Sequence, residues 1–150
     1  MSMTIEVRPA TADDAAGLVP LIAAMGYEVT AAEVERRIRE LPAGDAVLVA
    51  VDEGRVCGWC HVYRSHSLIV GQRAEIAGLA VDPGHQGGGV GGALLRHAEE
   101  WAAGNGIEVV HLRSGSERGA AHEFYRKQGY SSVKTQLALS KRLRPAGSPS

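Results

Sequence analysis

Val81-Asp82-Pro83-Gly84-His85-Gln86-Gly87-Gly88-Gly89-Val90-Gly91-Gly92-Ala93-Leu94-Leu95 sets five glycines into the six positions 87–92. The run follows a strand-like stretch over 75–81 and precedes a helix-like stretch over 90–103. In the latter, Val90, Leu94, Leu95, Ala98, Trp101 and Ala102 form one apolar stripe, with Arg96, Glu99 and Glu100 off it. Glycine leaves backbone N–H groups uncovered and adopts left-handed dihedrals without a Cβ penalty. A row of such groups entering a helix N-terminus attracts phosphate-type anions, because unsatisfied donors and the helix dipole point the same way. The stretch is therefore expected to hold a phosphate-bearing cofactor.

Other readings of the same residues stand beside this one. A glycine run also serves as a plain flexible loop. Gly87, Gly89 and Gly92 satisfy the dinucleotide fingerprint G-x-G-x-x-G, but that fingerprint wants its first glycine at the tight turn leaving the strand, and here residues 82–86 intervene. A Walker-type phosphate loop is excluded, since no Gly-Lys-Ser/Thr follows.

Outward from the loop, the patterning predicts alternating element types. Ile5 and Val7 alternate with Glu6 and Arg8 as a short first strand. Thr11 with Asp14, and Thr30 with Glu33, have the spacing of capping boxes. The first opens a helix carrying Ala15, Leu18, Val19, Leu21 and Ile22; the second opens one carrying Val34, Ile38 and Leu41, stopped by Pro42. Strands over 46–51 and 56–63 flank the turn Asp52-Glu53-Gly54, and 74–81 makes a third consecutive strand. After the glycine-loop helix, ended by Gly104-Asn105-Gly106, a strand over 107–112, a helix over 118–128 and a closing strand over 133–139 complete the chain. The order β-α-α-β-β-β-α-β-α-β predicts an α/β mixed sheet, with the segment 130–143 open as one strand or two.

A chain of 150 residues is one domain by size, here expected over 1–140 with a flexible tail at 141–150. The net charge of −1 argues against a nucleic-acid partner, whose footprint would show clustered excess Lys/Arg, and the only basic cluster, Lys141-Arg142-Leu143-Arg144, is expected to solubilise the tail. No run approaches the length of a membrane span, and Met1 to Arg8 lacks the apolar core of a signal peptide, so a cytoplasmic location is expected. Cys57 and Cys60 form a C-x-x-C, but an offset of three in a strand puts the side chains on opposite faces. Two buried free thiols are expected, with no metal site.

Gln86-Gly87-Gly88-Gly89-Val90-Gly91 resembles the Q/R-x-x-G-x-G/A signature of the GNAT superfamily of acyl-CoA-dependent N-acetyltransferases. The resemblance extends upstream through Glu75-Ile76-Ala77-Gly78-Leu79-Ala80-Val81 and downstream through Gly92-Ala93-Leu94-Leu95. A second block, Ser114-Gly115-Ser116-Glu117-Arg118-Gly119-Ala120-Ala121-His122-Glu123-Phe124-Tyr125-Arg126-Lys127-Gln128-Gly129-Tyr130, is similar to the family's later helix with its Phe-Tyr pair. Ile5-Glu6-Val7-Arg8-Pro9-Ala10-Thr11-Ala12-Asp13-Asp14-Ala15 resembles the family's opening. Three blocks in the family's order cover nearly the whole chain and imply a GNAT-like single domain.

What the resemblance implies can be stated residue by residue. Acetyl-CoA would be the cosubstrate, its pyrophosphate bound by backbone N–H groups of Gly87, Gly88, Gly89, Val90, Gly91 and Gly92, with Gln86 at the loop's mouth. The pantetheine arm would pair with the backbone of Leu79, Ala80 and Val81 in the manner of an added strand. Tyr125 matches the position whose phenol protonates the departing thiolate, and Glu75 the position of a general base expected to have a raised pKa. His61, Tyr63 and His66 are alternative bases. Where many members carry Asn before the Ala-x-x-Phe-Tyr unit, this chain has Arg118, with Ser114 and Ser116 as other donors. No cysteine sits where a nucleophile would belong, which favours direct attack in a ternary complex. The acceptor would be an amine of a small molecule or peptide, shaped by residues around 25–29, the third strand and the closing strand, with a homodimer left open. A catalytically silent acyl-CoA-binding module is the alternative.

Overall fold

The computed structural model describes residues 4–113, 119–134 and 136–144. It divides into two compact units, with the boundary between Arg113 and Ser114. In the first unit, β1 (Ile5–Pro9), β2 (Asp45–Asp52), β3 (Arg55–Ser67), β4 (Gly71–Val81) and β5 (Val110–Leu112) form one sheet in that spatial order. Neighbours are antiparallel except β4 and β5, which run parallel through the crossover helix α3 (Val90–Gly104). Helices α1 (Ala15–Ala24) and α2 (Ala31–Arg39) lie between β1 and β2 in the chain.

Each face of the sheet buries one helical layer. Val90, Leu94, Leu95, Ala98 and Ala102 are the buried stripe of α3. An added Cβ on Gly58 would lie only 3.0 Å from Leu94 Cδ1, which places the Gly58 face of β3 against α3. Register carries Cys60, Val62, Ala74, Ile76, Leu79 and Val81 onto the same face. The opposite face packs Val49 and Val51 with Ala15 and Leu18 of α1 and Val34 of α2. Trp59, His61, Tyr63 and Glu75 share that second face.

Both capping boxes form. Thr30 Oγ1 accepts from Glu33 N at 3.1 Å while Glu33 Oε1 accepts from Thr30 N at 2.9 Å. Asp14 accepts from Thr11 N at 2.7 Å and also takes a two-pronged bond from Arg8, both contacts at 2.9 Å. The carboxyl is only 7% exposed. The hydrogen bond from Arg8 is the largest influence holding its pKa below the usual carboxylate range, against the opposing effect of burial. Asp14→Ala should cost about 2 kcal/mol, between an exposed pair and a fully buried one, because Arg8 keeps contact with water. Urea denaturation checks it. The difference from the parent should be full above pH ~4 and shrink as pH falls through the depressed native pKa.

Several lengths differ from those expected. β3 and β4 extend to a pair at Ser67↔Gly71, because a two-stranded ribbon satisfies its backbone donors by pairing even where the side chains are polar. β5 shrinks to three residues, although Ala74 N still donates to Val109 O at 2.9 Å.

The second unit contains α4 (Gly119–Lys127), ended by Gly129 at φ +95° and a bond from Tyr130 N to Tyr125 O. The closing strand expected over 133–139 is not formed among the described residues. Val133, Leu137 and Leu139 are 76, 87 and 88% exposed, so their alternation covers no apolar surface and pairs with no strand.

Candidate active site

The end of β4 and the glycine loop form the first part of the site. Pairing with β5 stops at Ile76↔Leu112, so residues 77–81 run on with no strand beside them on that edge among the described residues. On the other edge β3 continues as far as Gly58↔Val81. Leu79, Ala80 and Val81 thus present backbone donors and acceptors on an edge that is unpaired among the described residues. An unpaired edge is what a strand-like ligand arm requires, and residue types alone carry no sign of it.

One extra residue sits at the same place. Val62 pairs with Ile76 but His61 pairs with Gly78, which makes Ala77 a β-bulge. Gly78 lies beneath the Trp59 indole, where an added Cβ would come within 2.4 Å of the ring. Only glycine fits under that ring.

Beyond Val81 the chain enters a short 3-10 turn at Pro83–His85 and then the glycines. Gly87 (φ +82°) and Gly89 (φ +86°) are left-handed, and Gly89 caps α3. The first helical bond of α3 is Ala93 N to Gly89 O at 3.0 Å. The amides of Val90, Gly91 and Gly92 therefore have no carbonyl one turn back, and a Cβ at Gly87 or Gly89 would meet nothing within 4 Å. Free amides, a helix N-terminus and open space fit a pyrophosphate. Gln86 is exposed, and its side-chain amide donates to Val81 O at 3.4 Å, so it braces the strand end.

His85, not singled out by the sequence reading, ties this loop to the sheet. Its Nε2 lies 3.0 Å from Asp52 Oδ2 and its Nδ1 3.0 Å from Asp82 Oδ2. Two carboxylates accept from one ring only when both nitrogens carry protons. The bonds to Asp52 and then Asp82 raise the His85 pKa, and the bond from His85 lowers that of Asp82. This bridge should stabilise the fold fully below about pH 6.5 and be lost as pH rises through the raised native value. Melting curves of the parent and His85→Gln should accordingly differ at pH 6 and converge at high pH.

Glu75 is 5% exposed, and both its oxygens are engaged. Oε1 accepts from Ser65 Oγ at 3.2 Å and forms an ion pair with Arg73 Nη2 at 3.0 Å, and Oε2 lies 2.8 Å from His111 Nδ1. Burial alone would raise its pKa. The bond and charge of His111, the charge of Arg73 and the bond from Ser65 outweigh burial and hold the carboxyl below its usual range. The expected raised pKa is thereby corrected: the carboxylate is ionised and already paired. His111 stands directly across the β4–β5 pairing from Glu75.

The alternative bases are dispersed. His61 Nε2 bonds Asp45 Oδ2 at 2.8 Å, and its ring centroid is 6.0 Å from that of Tyr63. His66 lies farther out, paired with Gln72 near the hairpin tip. A cavity of about 110 Å³ between α1, α2, β2 and β3 is lined by Leu18, Ile22, Arg37, Trp59 and His61 among others, and Trp59 Nε1 is buried without a partner. Cys57 and Cys60 are free and buried, and burial pushes the Cys60 thiol up to about 12.

In the second unit, the Tyr125 ring packs edge-on against both Phe124 (5.2 Å) and Tyr130 (6.2 Å). Arg118, Ser114 and Ser116 lie outside the described residues.

The sheet is mixed, and its fourth strand runs on past its pairing with β5 into an amide-lined helix start. The family model described as the Acetyltransferase (GNAT) family matches residues 18–130, and the chain belongs to that family. It is 26% identical over 133 residues to the uncharacterized N-acetyltransferase YhfO of Bacillus subtilis, covering 84% of this chain and 89% of that one. A mycothiol acetyltransferase of Saccharomonospora viridis is 33% identical over 119 residues, covering 74% of this chain and 38% of that one. The chain thus spans little more than a third of the length of that curated relative. The aminoglycoside N-acetyltransferase AAC(6')-Iy in complex with CoA has the same fold at a TM-score of 0.83 and 14% identity, covering 95% of this chain and 97% of that one. Among the described residues, no helix is long and apolar enough to cross a membrane.

Proposed function

We propose that the protein transfers the acetyl group of acetyl-CoA to an amine of a small molecule or peptide by direct attack in a ternary complex. The observation that carries this reading is the unpaired edge of 77–81 leading into the free amides at the start of α3. The first offers strand-like bonds to the pantetheine amides, the second a cradle for the pyrophosphate. The CoA complex of the structurally similar aminoglycoside enzyme supports the same cosubstrate. Tyr125 is the proposed donor to the departing thiolate. An ammonium has no lone pair to attack with and the leaving group departs as a thiolate, so the reaction calls for a base at the one and an acid at the other.

The test is calorimetry with CoA and with NAD, followed by thiol release from acetyl-CoA across a panel of primary amines. Binding of CoA but not NAD, with amine-dependent thiol release, is the expected result. CoA binding without transfer to any amine would leave an acyl-CoA-binding module instead.

A further inference from the structure

We propose that His111, through Nε2, is the base that takes the proton from the acceptor ammonium, with Glu75 as its positioning partner. This deepens the proposed acetyl transfer and rests on it. Glu75 is nearly sealed from solvent, and each of its oxygens already accepts at least one hydrogen bond. An ionised carboxylate only accepts, so His111 Nδ1 must donate to it. In the neutral ring the lone pair then resides on Nε2, and none of the hydrogen bonds among the described residues uses that atom. The His111 side chain is 15% exposed against 6% for Glu75, so the histidine is the member of the pair that solvent and substrate can reach.

Position favours the same residue. β5 ends its pairing at Leu112, one residue after His111, so His111 stands beside the point where the edge of 77–81 becomes unpaired among the described residues. Glu75 and Gly78 are separated by about 10 Å of strand, a span that two side chains and one water bridge. His61 stands opposite Gly78 on the β3 edge of β4, but its Nε2 is already taken by Asp45 Oδ2 at 2.8 Å. Among the described residues, the charged and titratable groups placed near His111 by contact or register are Glu75 and Arg73 on β4, Tyr63 opposite Glu75 on β3, and Arg113 two residues on. The Asp45–His61 pair and Arg37 lie farther along the same face.

The step balances without further reagents. The ammonium gives one proton, directly or through water, to Nε2. The freed lone pair attacks the thioester carbonyl, the N–C bond forms and the C–S bond breaks. Of the two protons lost by nitrogen, one is matched by protonation of the thiolate and the other passes from His111 to solvent.

The experiment measures kcat/KM against pH with acetyl-CoA and the fastest acceptor of the primary-amine panel, for the parent, His111→Asn, Glu75→Gln and His61→Asn. Asparagine keeps a donor for Glu75 but has no basic nitrogen. Expected is loss of the acidic limb and a drop of roughly 10²-fold in His111→Asn, with CoA affinity unchanged. In Glu75→Gln the limb should persist while the rate falls, because the imidazole loses the carboxylate that orients it. Retention of the limb in His111→Asn, its loss in His61→Asn instead, or uniform slowing of His111→Asn at every pH would overturn the proposal for His111 alone. Failure of every amine to react while acetyl-CoA binds would overturn the acetyl-transfer reading and the base with it. If His111→Asn does not fold, nitrogen NMR of the parent decides. A proton on Nδ1 and a bare Nε2 above the ring's pKa support the assignment, and the reverse tautomer overturns it.

Discussion

Gly89→Val should lower CoA affinity by at least ~tenfold, or about 1.4 kcal/mol of binding free energy. The native φ of +86° is one that a β-branched residue adopts only under strain, so the residue would turn the first amides of α3 away from the position they hold now. The new side chain would also stand in the open space that a pyrophosphate needs, since beyond its chain neighbours no atom of the described residues lies within 4 Å of its Cβ. Because nothing there clashes, the sheet and helix should survive. Gly71→Val is the matching control. It carries a similar φ of +73° and equally open space, but lies at the far end of β4, some ~33 Å of strand from Val81. It should lose stability and keep its affinity. Equal CoA affinity in folded Gly89→Val, by calorimetry, would remove the loop from the binding site.

Tyr125→Phe should lower kcat by roughly 10²-fold or more while CoA affinity stays near that of the parent. The substitution removes one hydroxyl and keeps the ring, so the edge contacts with Phe124 and Tyr130 persist and α4 should hold. A thiolate that departs unprotonated is the poorer leaving group, and the defect should therefore shrink with acyl thioesters whose thiols are more acidic. Steady-state rates with a working amine, compared between acetyl-CoA and such a thioester, measure this. An unchanged kcat with both donors would leave water as the acid.

The strand–loop–helix around 75–95 was legible because three local signals coincide there: apolar strand, consecutive glycines, amphipathic stripe. The two capping boxes were legible for the same reason, each being a contact between residues three apart. What could not be read is whatever depends on register. Glu75 looks like a lone strand carboxylate until β4 and β5 are aligned, and only then does His111, 36 residues later, arrive 2.8 Å away. The same holds for His85, whose partner Asp52 belongs to another strand. The closing strand was expected from alternation alone, and alternation does not tell whether a partner edge exists.

The bulge at Ala77 has a consequence for how this strand can be compared or recombined. It shifts the phase of β4 by one, so that Glu75 and Gly78, three apart, look the same way, and Leu79 joins Ile76 on the opposite side. Any alignment that follows strict alternation across residue 77 assigns inward and outward positions wrongly from there to Val81. Deleting Ala77 would remove the kink yet leave Gly78 able to face His61 as it does now. Curvature and pairing could thereby be varied one at a time, and a chimera of two family members should be joined on either side of 76–78, never within it.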